Sequence, residues 1–120
     1  MDAINHDQMP FHFGDPLDPR IPDYEARSMG GIGSARVLQH FAKQDYGGIE
    51  VLDRLQNVSQ PTLVLAGRLD RTCSVEAAEA IAAGMPKSEL VVFEKSGHMT
   101  FVEENPAYLQ SVRAFLNRTR

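Results

Sequence analysis

The second half of this 120-residue chain predicts an α/β fold built on a parallel sheet. Two short apolar runs, residues 62–66 and 90–93, are each followed by a loop and then by a helical pattern. Unbroken apolar runs of this length are typical of strands that are buried on both faces. The order strand, helix, strand, helix describes a right-handed parallel crossover followed by a covering helix. Because two strands do not complete a parallel sheet, we expect further strands from elsewhere.

Turn and cap residues set the boundaries of these elements. Pro61 precedes the first apolar run. Ser74 is expected to cap a helix over residues 75–83, which Gly84 ends. Pro106 stands where the last helix begins, a position at which proline is well tolerated because its missing N–H would have no helical partner.

The first half of the chain predicts less regular structure. Residues 1–33 are expected to be an extended, irregular surface segment, because DPLDPRIPDY contains three prolines that disfavour helix for the residues before them. Ser34 is expected to cap a helix over residues 35–44. A second short helix is predicted over residues 49–55.

Composition indicates one globular domain and excludes several functions. The formal net charge of −4 gives no general basic surface for nucleic acid or acidic lipid. No run approaches the roughly 20 apolar residues of a membrane span. The N-terminus has neither the basic nor the apolar region of a signal peptide, so a cytoplasmic protein is expected. A single cysteine, Cys73, excludes an internal disulfide and a cysteine-rich zinc site.

Two polar side chains follow the two predicted strands. Asp70 lies in the loop after the first strand and His98 in the loop after the second. Parallel strands end at the same edge of a sheet, and neighbouring strands are about 5 Å apart, so these side chains are expected to reach hydrogen-bonding distance. A carboxylate that orients an imidazole leaves the other ring nitrogen free as a general base, as in a Ser–His–Asp triad.

The segments PTLVLAGRLD and ELVVFEKSGHMTFVEENP, with the helices that follow them, resemble the C-terminal part of an α/β-hydrolase. The resemblance covers about residues 51–116 and is closest to proline iminopeptidase-like and esterase-like members. It implies that Asp70 is the triad acid and His98 the triad base. It also implies a division into a cap- or lid-like segment, residues 1–48, and a C-terminal part of the hydrolase core, residues 49–120.

The nucleophile of such an enzyme is not evident in the sequence. The family's G-x-S-x-G motif does not occur anywhere in the chain. Ser34 precedes Asp70 and His98, the family's order, but no strand or flanking glycine pattern surrounds it, so a helix cap is the better interpretation. Cys73 is a second candidate, although a structural thiol beside the acid is favoured. The chain alone is therefore expected to be inactive.

Other polar side chains give weaker indications. Glu103 and Glu104 precede the last helix, where they are expected to interact with its dipole; a contact with a substrate amine is the alternative. His6, His12 and His40 lack metal-ligand spacing and are assigned to the surface or to the lid-like segment. Neither a metal nor another cofactor is expected.

Three aromatic residues in the first part of the chain leave two alternatives open. They line an acyl pocket if the segment is a lid, or they anchor a loose segment to the core: Phe11, Phe13 and Tyr24.

Two functions of different classes follow. The first is a hydrolase of an ester or amide bond with a serine nucleophile, present here as the portion that carries the acid and base. A small-molecule substrate, and a partner chain or a second copy that completes the sheet, would then be its partners. The alternative is a non-catalytic remnant that acts as a binding or dimerisation module through its exposed strand edge.

Overall fold

The computed structural model describes residues 8–31, 33–44 and 50–119. In chain order its α-helices are α1 (Ile21–Ser28), α2 (Ala35–Lys43), α3 (Val75–Gly84), α4 (Thr100–Glu103) and α5 (Asn105–Arg118). Its strands are β1 (Thr62–Gly67) and β2 (Ser88–Phe93), and short 3-10 helices occur at Met9–His12 and Leu52–Asn57.

The two strands form the predicted parallel pair. Thr62 lies opposite Ser88 at one end and Gly67 opposite Phe93 at the other, and α3 connects the strands. The α/β fold is thereby confirmed. The expectation that β1 is buried on both faces is wrong for this chain, because Val64 remains partly exposed. Within the described ranges only β2 pairs with β1, so one edge of β1 has no strand beside it.

Helix starts follow the predicted caps. The Ser74 hydroxyl accepts a hydrogen bond from the Ala77 N–H at 3.4 Å. The Ser34 hydroxyl accepts one from the Val37 N–H at 3.3 Å. Each serine thus satisfies one of the N–H groups that have no partner in the first turn of a helix.

The first part of the chain is more ordered than the sequence suggested. Residues 21–28, expected to be irregular, form helix α1 with Pro22 in its first turn. Proline is compatible with this position because its fixed φ suits a helix and no N–H is required there. The short helix predicted over residues 49–55 is instead a 3-10 helix at Leu52–Asn57. The proposed domain boundary near residue 48 lies outside the described residues.

A small core attaches this segment to the loop after β2. Phe13 is fully buried and clusters with Ile21 and Met99, and the Tyr24 ring lies edge-on to Phe13 at 5.9 Å. Phe11, in contrast, is largely exposed. Of the two alternatives for these aromatic residues, the structure supports hydrophobic anchoring for Phe13 and Tyr24.

Among the residues that the structure describes, no helix combines the length and the apolar character needed to cross a bilayer.

Candidate active site

Asp70 and His98 meet at the carboxyl ends of the two strands. Nδ1 of His98 lies 2.8 Å from Oδ2 of Asp70, although the two residues are 28 positions apart in the chain. The predicted hydrogen-bonding distance is therefore confirmed. The parallel pairing of β1 and β2 produces this contact, since both loops leave the same edge of the sheet.

The Asp70 carboxylate is held in place by the backbone of its own loop. Its Oδ1 accepts hydrogen bonds from the N–H groups of Thr72 at 2.7 Å and Cys73 at 3.0 Å. The side chain is only 6% exposed. Burial acts to raise the pKa of Asp70, but the bonds from Cys73, His98 and Thr72 outweigh it and hold the pKa below its usual value. Asp70 is thus an oriented, ionised acceptor at neutral pH.

His98 is positioned by backbone on one side and open on the other. The backbone N–H of His98 donates a hydrogen bond to the backbone carbonyl of His12 at 2.7 Å, and the His98 side chain is 40% exposed. The His12 ring lies edge-on to the His98 ring with centroids 5.6 Å apart. His12 thus lies at the site, a placement that the sequence analysis did not foresee, because no local motif links positions 12 and 98.

The two glutamates before α5 support the His98 loop. Glu103 accepts hydrogen bonds from the N–H groups of Gly14 at 2.7 Å and Gly97 at 2.8 Å. Glu104 accepts from the Lys95 N–H at 3.0 Å and from the Ser96 hydroxyl at 2.7 Å. Both carboxylates were expected to interact with the helix dipole, with a substrate-amine contact as the alternative; they instead accept hydrogen bonds from backbone and hydroxyl groups around His98.

Close backbone contacts require glycine beside the histidine. A Cβ atom on Gly97 would lie 2.6 Å from the nitrogen of Gly14 and 2.7 Å from the carbonyl oxygen of His12. A Cβ atom on Gly67, at the end of β1, would lie 2.0 Å from the carbonyl oxygen of Gly97. The His98 loop is therefore packed between β1 and the segment that contains Phe13.

An open cavity of about 300 Å³ lies beside the Asp70–His98 pair. β1 and α3, including Val64, Ala77 and Ile81, form most of its wall, and His98 is also among the lining residues. A reacting group that entered this cavity would reach the exposed imidazole. The arrangement is suited to proton transfer beside an apolar binding surface.

The structure separates the candidate nucleophiles. Ser34 caps α2, as the sequence analysis preferred. Cys73, in contrast, lies at the site: its sulfur, a carboxylate oxygen of Asp70 and a ring nitrogen of His98 all fall within 4.8 Å of one another. Among the described residues, the only hydrogen bond of the His98 ring is to Asp70. His6, which the sequence assigned to the surface or to the lid-like segment, lies outside the described residues.

Comparisons with known proteins identify the family of this chain. A family model described as TAP-like protein, an α/β-hydrolase family, matches residues 42–120. A proline iminopeptidase from Clostridioides difficile is 40% identical over 70 residues, which cover 58% of this chain and 24% of the relative. A second proline iminopeptidase, from Lactiplantibacillus plantarum, is 29% identical over 120 residues, which cover 95% of this chain and 41% of the relative.

Solved structures show the same fold. A hydrolase of the alpha/beta fold family from Bacillus anthracis superimposes with a TM-score of 0.80 at 24% identity, covering 98% of this chain and 40% of its own. An esterase from Exiguobacterium antarcticum superimposes with a TM-score of 0.77 at 22% identity, covering 96% and 42%. The chain thus spans less than half the length of these relatives. On the extent of the family match, the chain belongs to the TAP-like family of α/β-hydrolases.

Proposed function

We propose that this chain provides the acid and the base of a serine-type hydrolase that cleaves an ester or amide bond. The observation that carries the proposal is the 2.8 Å contact between the buried Asp70 carboxylate and Nδ1 of the partly exposed His98. A buried acid, an oriented imidazole and an adjacent cavity are the features that acyl transfer needs from this half of a triad.

The proposed mechanism assigns one role to each side chain. Asp70 accepts a hydrogen bond from the Nδ1–H of His98, which holds the proton on Nδ1 and leaves Nε2 free as the general base. His98 takes the proton of an attacking serine hydroxyl, whose oxygen then bonds to the carbonyl carbon of the substrate. The protonated imidazole gives that proton to the leaving group as the acyl bond breaks. A water molecule, deprotonated by the same imidazole, then releases the acid and restores the serine.

The serine is proposed to come from outside this chain, either from a further segment of a longer protein or from a partner chain. The hydroxyl groups of most serines that the structure describes already form hydrogen bonds within the chain. Ser34 and Ser74 cap helices, and the Ser96 hydroxyl donates to Glu104. The hydroxyls of Ser28 and Ser88 donate to backbone carbonyls. None of them forms a hydrogen bond with His98, which supports the expectation that the isolated chain is inactive.

A reconstituted enzyme tests this proposal. The part of the C. difficile proline iminopeptidase that this chain does not match would be joined to this chain, and hydrolysis of a p-nitrophenyl ester and of proline p-nitroanilide would be measured. We expect turnover of at least one substrate. We expect Asp70→Asn and His98→Ala each to lower kcat by on the order of 10⁴-fold, because the base loses its orientation or is removed.

His40→Ala is the matched control, because His40 is exposed on α2 and belongs to no part of the site. Its activity should equal that of the unsubstituted protein. Turnover that survives His98→Ala at full rate would contradict the proposal, because His98 could then not be the general base.

A second function is favoured by the unpaired edge of β1. Within the described residues β1 has a strand on one side only, and an exposed edge is a template for pairing with another chain. A partner chain or a second copy that completes the sheet would make this chain a binding or dimerisation module, with or without catalysis. Sedimentation equilibrium of the purified chain tests pairing with a second copy, because the apparent mass rises with concentration only if the chains associate.

A further inference from the structure

Three different metal-ligand side chains converge at the end of β1. A carboxylate oxygen of Asp70, the sulfur of Cys73 and a ring nitrogen of His98 lie within 4.8 Å of one another. Two of them come from the loop after β1 and the third from the loop after β2. Because Cys73 and His98 are 25 positions apart in the sequence, ligand spacing could not reveal this group.

The three groups fit the coordination of zinc. Zinc is bound by cysteine sulfur at about 2.3 Å, by histidine nitrogen at about 2.0–2.1 Å and by carboxylate oxygen at about 2.0–2.2 Å, usually with tetrahedral geometry. These bond lengths place neighbouring ligand atoms about 3.3–3.6 Å apart. Cys73 and His98 are both exposed, so rotation of their side chains can supply the small adjustment.

The surroundings also suit a metal ion. The hydrogen bonds from Thr72 and Cys73 fix one oxygen of Asp70, which orients the carboxylate as outer-shell bonds do in metal sites. A thiolate and a carboxylate together balance the charge of a divalent cation. The cavity beside the group leaves room for water or another ligand at the fourth position.

We propose that Asp70, Cys73 and His98 bind a zinc ion at the edge of this cavity. Binding replaces the thiol proton of Cys73 by the metal. It also removes His98 as a base, whichever ring nitrogen coordinates. Coordination by Nδ1 leaves the ring proton on Nε2 and breaks the hydrogen bond to Asp70, whereas coordination by Nε2 occupies the free lone pair. Zinc would therefore act as an inhibitor of the hydrolase. This consequence rests on the proposed function, whereas the binding itself does not.

Calorimetric titration of the purified 120-residue chain with zinc chloride tests the proposal. We expect one zinc ion per chain, and an affinity that Cys73→Ser and His98→Ala each lower by about 100-fold or more, because each variant removes a direct ligand. His40→Ala, which changes an exposed histidine outside the group, should leave the affinity unchanged. Serine retains the size of the exposed Cys73, so this variant is expected to fold.

Cobalt chloride provides a second readout at the same ligands. A thiolate bound to cobalt gives a charge-transfer absorption in the near ultraviolet, which should appear with the unsubstituted chain and be absent from Cys73→Ser. Zinc binding that is equally tight in Cys73→Ser and His98→Ala, or a cooperatively unfolding chain that does not bind zinc, would overturn the proposal. Neither readout depends on hydrolysis, so zinc binding can fail while the proposed triad stands.

Discussion

At the scale of single residues, Arg20 connects the first segment of the chain to the region that follows His98. Its guanidinium donates hydrogen bonds to the carbonyls of Val102 at 3.0 Å and Glu103 at 2.9 Å. The same guanidinium forms an ion pair with the buried carboxylate of Asp18. The hydrogen bond from the Arg20 side chain outweighs burial and lowers the pKa of Asp18. The pair therefore stabilises the fold most while Asp18 is ionised.

Asp18→Asn should lower the free energy of unfolding at pH 7 by about 1.5–3 kcal/mol, the usual range for a hydrogen bond to a charged group. The pKa of Asp18 is lower in the folded than in the unfolded state. The contribution is therefore complete above the unfolded value of about 4 and is lost as the pH falls through the folded-state pKa. Urea unfolding of both proteins at several pH values would show a difference that shrinks toward acid pH.

The exposed Asp53 provides the comparison for this measurement. Asp53→Asn should change stability little at any pH, since a surface carboxylate without such a pair contributes little. A difference between Asp18→Asn and the unsubstituted chain that stays constant down to acid pH would show that ionisation of Asp18 is not the cause.

The sequence predicted the contact of Asp70 with His98 but not the residues that support it. The contact follows from strand order alone, because both side chains leave the same edge of a parallel sheet. His12 and Gly14, in contrast, join the site through contacts with residues about 85–90 positions away, His98 and Glu103. Such contacts depend on how the first segment packs against the core, which neither local propensity nor spacing encodes.

At the scale of elements, the loop after β2 depends on backbone packing. Gly97 lies against the backbone of His12 and Gly14 on one side and at the end of β1 on the other, where Gly67 approaches it. Glu103 then accepts hydrogen bonds from both Gly14 and Gly97. The position of the imidazole thus depends on three chain segments remaining in van der Waals contact.

Gly97→Ala should therefore destabilise the chain and displace the imidazole. The added Cβ would lie 2.6 Å from a backbone nitrogen, which cannot move aside as a flexible side chain could. We expect a loss of about 1–3 kcal/mol in the free energy of unfolding, the usual cost of overpacking. The proton resonance of His98 Nδ1–H, shifted downfield by the bond to Asp70, should also weaken or move.

Gly33→Ala is the matched control, because no atom lies within 4 Å of a Cβ built at that position. Unfolding by urea and the proton spectrum should both be nearly unchanged in that variant. Equal stability of Gly97→Ala and Gly33→Ala would contradict the packing argument.

The elements that the sequence predicted well are those with both a cap and an apolar pattern. α3 begins after Ser74, α5 contains Pro106 in its first turn, and both strands extend the predicted apolar runs by only one or two residues. α1 was missed because its proline was taken as a helix breaker, although proline is acceptable in a first turn. The short α4 was also missed, since four residues give no usable periodicity.

At the scale of the whole molecule, apolar surface remains exposed in the described part of the chain. Val37, Leu38 and Phe41 form an apolar stripe on α2, and each is about half exposed. One edge of β1 has no described strand beside it. Contiguous apolar surface of this kind usually marks an interface.

We therefore expect the purified chain to self-associate at micromolar concentration, with the α2 stripe contributing to the contact. Phe41→Glu should raise the dissociation constant by about tenfold or more, because it removes a side chain whose burial contributes about 1.5–3 kcal/mol and places a charge in the contact. Gln39→Glu introduces the same charge on the same helix outside the stripe and should have a small effect. Sedimentation equilibrium over a range of concentrations measures both variants. A chain that remains monomeric throughout, or equal weakening by the two variants, would mean that the stripe on α2 is not the contact.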